Sequence, residues 1–93
     1  MSRIFYLPPF VKQLQKLRGK EAQAAQEALI SFDHFVRTGD KSTGLGFKKL
    51  AADKFEIRID LKKRIVMKKI GEDYYLALYG NHDEIERFLK SFK

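Results

Sequence analysis

Halfway along this chain the spacing of its apolar residues changes, and that change limits the fold more than any other feature. In the first part, Phe10, Leu14 and Leu17 recur at helical spacing with Val11 beside them. Ala22, Ala25, Leu29, Phe32 and Val36 continue in steps of three and four, and Ala28 and Phe35 widen the stripe. From Lys54 the pattern becomes Lys-Phe-Glu-Ile-Arg-Ile-Asp-Leu, a strict alternation through Leu61 that belongs to a half-buried strand. A helical first half and a stranded second half require an α+β fold, with helices packed on a sheet.

The punctuation supplies the remaining elements. Arg3 to Leu7 reads as a short first strand, stopped by Pro8 and Pro9, which also suit a helix start. Gly19 and Gly39 read as the stops of two helices, which form a helical hairpin. Asp40 to Gly46 reads as a loop. Lys62-Lys63 then makes a turn, Arg64 to Ile70 a second meander strand, Gly71-Glu72-Asp73 another turn, and Tyr74 to Tyr79 a third strand. Asn81 is a good N-cap, with Glu84 at the capping-box position, for a last helix whose apolar face is Ile85, Phe88, Leu89 and Phe92. The expected architecture is an N-terminal strand, a helical hairpin, an antiparallel sheet of three to four strands and a C-terminal helix, with residues 1–93 as one domain.

Charge narrows the function. The formal net charge is +7, and residues 46–70 hold nine Lys/Arg against three Asp/Glu, whereas residues 71–93 hold three against five. Cations concentrated in one stretch of strands and turns favour a polyanionic partner, through field focusing and counterion release. A solvated basic surface that serves solubility is the plainer alternative. With no cysteine, disulfides and thiolate metal sites are excluded. No apolar run approaches the roughly 18 residues of a membrane span, and the first residues lack a signal-peptide core, so a cytoplasmic protein without membrane contact is expected.

Metabolic chemistry finds little support. The two histidines, His34 and His82, belong to no metal-ligand cluster, and no metal site is expected. Gly44-Leu45-Gly46 is too short for a phosphate-binding loop, and no serine nucleophile motif occurs. No cofactor is expected. What remains is a distributed set: Lys48, Lys49, Lys62, Lys63, Arg64 and His82. RNA cleavage without a metal needs a group to help deprotonate the 2′-hydroxyl, a cation to stabilise the phosphorane, and an acid to protonate the leaving 5′-oxygen. Arginine and lysine suit the second role, histidine the first or third. The same residues also read as an exposed turn and the second residue of a capped helix. Tyr74, Tyr75 and Tyr79 either stack bases on an open sheet face or pack against helices.

Three stretches carry a family resemblance: Gly44-Leu45-Gly46-Phe47-Lys48-Lys49-Leu50, then Phe55-Glu56-Ile57-Arg58-Ile59 followed by Arg64-Ile65-Val66, and Tyr79-Gly80-Asn81-His82-Asp83-Glu84-Ile85. In order and spacing, over nearly the whole chain, they resemble the RelE/ParE superfamily of toxins from bacterial type II toxin–antitoxin modules. The resemblance implies a growth-inhibiting toxin, neutralised by a cognate antitoxin, that cleaves mRNA in the ribosomal decoding site. It implies catalytic roles for Arg64, His82 and Lys49, and RNA binding by Lys48, Lys62, Lys63 and Lys68. Two positions depart from the family pattern: Lys63 stands where an aromatic residue usually precedes the strand arginine, and Phe88 stands where some members place a catalytic tyrosine. The same resemblance admits a ParE-like inhibitor of DNA gyrase, or a non-catalytic RNA-binding module. The apolar stripe of the last helix is expected to serve as a core element or as a segment that the antitoxin displaces.

Overall fold

Two prolines set the direction of everything that follows the first strand. The computed structural model describes residues 2–40 and 45–91. Strand β1 spans Ile4–Tyr6, and helix α1 begins at Pro8, with Pro8 and Pro9 in the first turn, where no N–H donor is needed. α1 is Pro8–Lys16 and α2 is Gly19–Thr38. The meander is β2 Lys48–Ala51, β3 Lys54–Arg58, β4 Arg64–Ile70 and β5 Asp73–Gly80, and α3, His82–Ser91, closes the described chain. The sheet order is β1-β5-β4-β3-β2.

Two features of the sheet differ from the expected antiparallel arrangement of three to four strands. β1 runs parallel to β5, with Ile4 opposite Tyr74 and Tyr6 opposite Leu76. Two helices and three strands separate β1 from β5 along the chain, and a crossover of that length permits a parallel pair. The fifth strand, β2, pairs antiparallel with β3 through Lys48–Glu56 and Lys49–Phe55, with a bulge before Ala51. Four residues containing adjacent lysines show too little alternation to announce a strand.

Helix and strand ends also moved. α1 stops at Lys16 rather than at Gly19, because the Arg18 guanidinium donates to the carbonyls of Gln15 and Leu17, both at 2.7 Å. Gly19, at φ +58°, instead opens α2. Gly39 ends α2 as expected, at φ +82°, its N–H donating to the Phe35 carbonyl at 2.8 Å. β3 ends at Arg58 and not at Leu61: Asp60 Oδ1 accepts the N–H groups of Lys62 and Lys63, both at 2.8 Å, and turns the chain. Leu61 is left 92% exposed at the tip of that turn. In the expected 40–46 loop, residues 41–44, including Gly44, lie outside the described residues, as does Phe92 of the last helix.

α1 and α2 cover one face of the sheet. Phe10 and Phe32 from the helices and Ile57, Ile65, Met67 and Leu76 from the strands are fully buried in one cluster, each side chain contributing about 1.5–3 kcal/mol by leaving water. Aromatic rings fill its centre: Phe32 meets the Tyr74 ring edge-on at 5.3 Å, and Phe47 stacks on Phe55 at 5.2 Å. Gln13 fastens α1 to β5, its amide donating to the Tyr79 carbonyl at 2.8 Å and accepting the Tyr79 N–H at 2.9 Å.

α3 packs against β5 on the other face. Val66 of β4 and Ile85 of α3 are buried but lie outside the main cluster. Asn81 and Glu84 form the capping box in both directions, each N–H bonded to the other's side-chain oxygen at 2.9 Å.

Candidate nucleic-acid interface

Side chains alternate across a strand, so the register sorts the cations by face. Lys48 faces Glu56 on β3, Lys54 faces Lys68 on β4, and Arg58 faces Arg64, which in turn faces Gly80 on β5. All of these are out of phase with the core residues Ile57, Ile65 and Met67. Lys48, Lys54, Arg58, Arg64 and Lys68 therefore share the face opposite α1 and α2, and Glu56 lies among them.

The centre of this face is an ion pair. Arg64 Nη1 donates to Glu56 Oε2 at 2.7 Å, and the two side chains are 24% and 4% exposed. Beside it an open cleft of about 350 Å³ is lined by Leu61, Lys62, Arg64, Asn81, His82 and Asp83. Arg64 reaches the cleft as the first residue of β4 and His82 as the first of α3, a position set by the Asn81 cap. The His82 ring points Nε2 towards Glu86 Oε1 at 3.1 Å, one turn along the helix, and remains largely exposed. Gly46 borders the same region: at φ +63°, a Cβ there would lie 2.9 Å from the Arg58 Cβ, so a side chain would collide with the basic strand.

Of the residues singled out from the sequence, the structure brings Arg64, His82 and Lys62 to one cleft, with Lys48 and Lys68 on the same side of the sheet. Lys68 Nζ is 3.6 Å from Asp53, whose carboxyl is held below its ordinary value chiefly by the hydrogen bond from Lys54. Lys49 and Lys63 are placed elsewhere. Lys49, in phase with Phe55, projects on the helix side at the sheet edge. Lys63 Nζ lies 4.0 Å from Glu21 of α2 and 5.5 Å from the Tyr79 ring centre, also on the helix side. Tyr79 donates its hydroxyl to Glu21 at 2.7 Å, and burial, reinforced by that carboxylate, raises its pKa.

The three tyrosines divide. Tyr74 and Tyr79 are buried in the core, while Tyr75 is half-buried on the opposite side and stacked on Phe5 at 4.9 Å. Residue patterns did not single out Glu56, Arg58 or Leu61 as parts of the site. The phase of Glu56 and Arg58 with Lys54 was visible in the sequence, but the diagonal pairing to Arg64 was not. Among the described residues, no group of three or more His, Cys, Asp or Glu side chains is arranged to hold a metal, and no helix is long and apolar enough to cross a membrane.

Sequence comparison leaves the chain without a match among family models or curated proteins. Solved structures do match. A chain of the RelB–RelE antitoxin–toxin complex from Methanococcus jannaschii superimposes with a TM-score of 0.66 at 15% identity, over 90% of this chain and 96% of that one. The chain has a RelE/ParE-like fold. The YoeB dimer from Staphylococcus aureus gives 0.61 at 21% identity, over 86% and 95% of the two chains. The YoeB/ParE toxin from Agrobacterium tumefaciens gives 0.62 at 14%, over 86% and 98%. This RelE/ParE-like fold accounts for both features that a plain meander lacks, the parallel β1 and the fifth strand.

Proposed function

We propose that the protein is the toxin of a type II toxin–antitoxin module and acts as a ribosome-dependent, metal-independent mRNA endonuclease. The observation that carries this reading is the cleft shared by Arg64 and His82, which brings a cation and a proton-transfer group to one place from positions 18 residues apart in sequence. The RNA 2′-hydroxyl attacks its own 3′-phosphate, the bond to the 5′-oxygen breaks, and the products carry a 2′,3′-cyclic phosphate and a 5′-hydroxyl. Arg64 donates to the phosphate oxygens as negative charge accumulates. His82 transfers the proton, as base to the 2′-hydroxyl or as acid to the leaving oxygen. Lys48, Lys62, Lys68 and Arg58 hold the RNA backbone. Lys49 and Lys63, on the helix side, add charge at longer range.

The proposed partners are mRNA in the decoding site and a cognate antitoxin. RelE in the archaeal structure is in complex with RelB. For this chain, an acidic antitoxin segment would cover the basic face and compete with α3, whose Ile85 is buried.

Primer extension on an mRNA under translation in a purified system tests the reading. Cuts within decoding-site codons are expected from the wild type, reduced about 10²-fold or more by Arg64→Ala or His82→Ala. Translation that continues uncut would overturn it, and inhibition of gyrase supercoiling by the same preparation would then favour the ParE-like alternative.

A further inference from the structure

Glu56 is the one carboxylate that β2, β3 and β4 contain. It is buried on the face that carries Lys48, Lys54, Arg58, Arg64 and Lys68, with Lys48 directly opposite it on β2. A surface meant only to attract polyanions gains nothing from a negative charge at its centre, and a buried carboxylate is costly unless it is well paired. Its contact is specific: Oε2 accepts from Arg64 Nη1 at 2.7 Å.

The guanidinium is a rigid planar fork with five N–H donors, so fixing one end fixes the direction of the others. Arg64 retains 24% of its side-chain exposure and lines the cleft with His82. We infer that Glu56 is a positioning residue for Arg64, holding Nη1 from beneath so that the remaining donors present a fixed edge to the scissile phosphate. The inference rests on the nuclease reading for its consequence in catalysis, and on the ion pair for its geometry. Without Glu56 the long arginine side chain keeps its charge and its attraction for RNA, but loses its orientation. The loss therefore falls on the chemical step and not on binding.

Glu56→Gln keeps the volume and a neutral acceptor, and Glu56→Ala removes both. Folding of each is checked by thermal melting. Single-turnover cleavage and affinity for an RNA carrying a 2′-deoxynucleotide at the cleavage position separate chemistry from binding. In Glu56→Gln the cleavage rate constant is expected to fall about tenfold while Kd stays within about threefold. Glu56→Ala, where it folds, is expected to fall to the level of Arg64→Ala. Adding Glu56→Gln to Arg64→Ala is expected to cost nothing further, since one residue acts through the other. A wild-type rate in Glu56→Gln, or losses that add in the double variant, would overturn the assignment. If the wild type cleaves nothing, the nuclease reading falls and the Arg64 side-chain NMR signals decide the positioning. Restricted guanidinium rotation in the wild type, a shift on addition of an oligoribonucleotide, and free rotation in Glu56→Gln support it. Signals that ignore the RNA, or are the same in both proteins, overturn it.

Discussion

The helix-covered face of the sheet and the face opposite come from the same strands, residue by residue in alternation, yet they are held by different physics. On the helix side, Ile57, Ile65, Met67 and Leu76 meet Phe10 and Phe32 in a cluster without exposed members at its centre. On the other side, Glu56 and Arg64 form a charged pair, and among the described residues only Val66 and Ile85 are buried apolar residues outside that cluster. Cohesion is concentrated on the first face and available charge on the second. A surface can be tuned for anions with little loss of stability only if the apolar residues carrying the fold point the other way.

The comparison breaks most visibly at the core. Phe32→Ala is expected to cost about 3–5 kcal/mol in urea unfolding, a large part of the stability of a domain this size. A loss below about 1 kcal/mol would mean that the helix-side cluster does not dominate. On the other face, His82→Ala is expected to lower cleavage by about 10²-fold or more, roughly 2.7 kcal/mol in the transition state, with an unfolding midpoint close to wild type. Joint loss of folding and cleavage would erase the distinction between the two faces. Smaller than either, the effect of Asn81→Ala, which removes one side of the capping box, is expected to be about 1 kcal/mol, weakening α3 and with it the placement of His82.

The smallest effect concerns pH. Tyr79 has its pKa raised in the folded protein by burial and by Glu21, so its contribution to stability is complete below the unfolded value of about 10. Above that pH the unfolded chain ionises first and the contribution declines. The difference in melting temperature between wild type and Tyr79→Phe is therefore expected to shrink from pH 9 to pH 11. A difference that stays constant would show that the hydroxyl gains nothing from its site beside Glu21.

Much of this was legible because local chemistry wrote it. The change of period separated helices from strands, Gly39 marked a helix end, and Asn81 with Glu84 placed the last helix and so the position of His82. Pairings between distant segments leave no local mark. The parallel contact of Ile4 with Tyr74 spans nearly the whole chain, and β2 is a strand only because β3 offers it an edge. The site was legible as a set of residue types and not as a geometry. Adjacent residues in a strand point to opposite faces, so Lys48 and Lys49 cannot both reach one strand of RNA along the same surface. Lys63 lies just beyond the Asp60 turn, and there the contact with Glu21 decides its direction. The buried glutamate beneath Arg64 depends on a diagonal contact between strands, which alternation alone does not reveal.

The central claim is that the Arg64–His82 cleft drives attack by the RNA's own 2′-hydroxyl. The most direct measurement uses a ribosome-bound mRNA with a single 2′-deoxynucleotide at a mapped cleavage position, compared with the all-ribose message. Cleavage at that position is expected to vanish while cuts at other positions persist, and the remaining products are expected to carry 2′,3′-cyclic phosphate ends. Cutting that continues at the deoxynucleotide would contradict the account, because the nucleophile it requires would be absent.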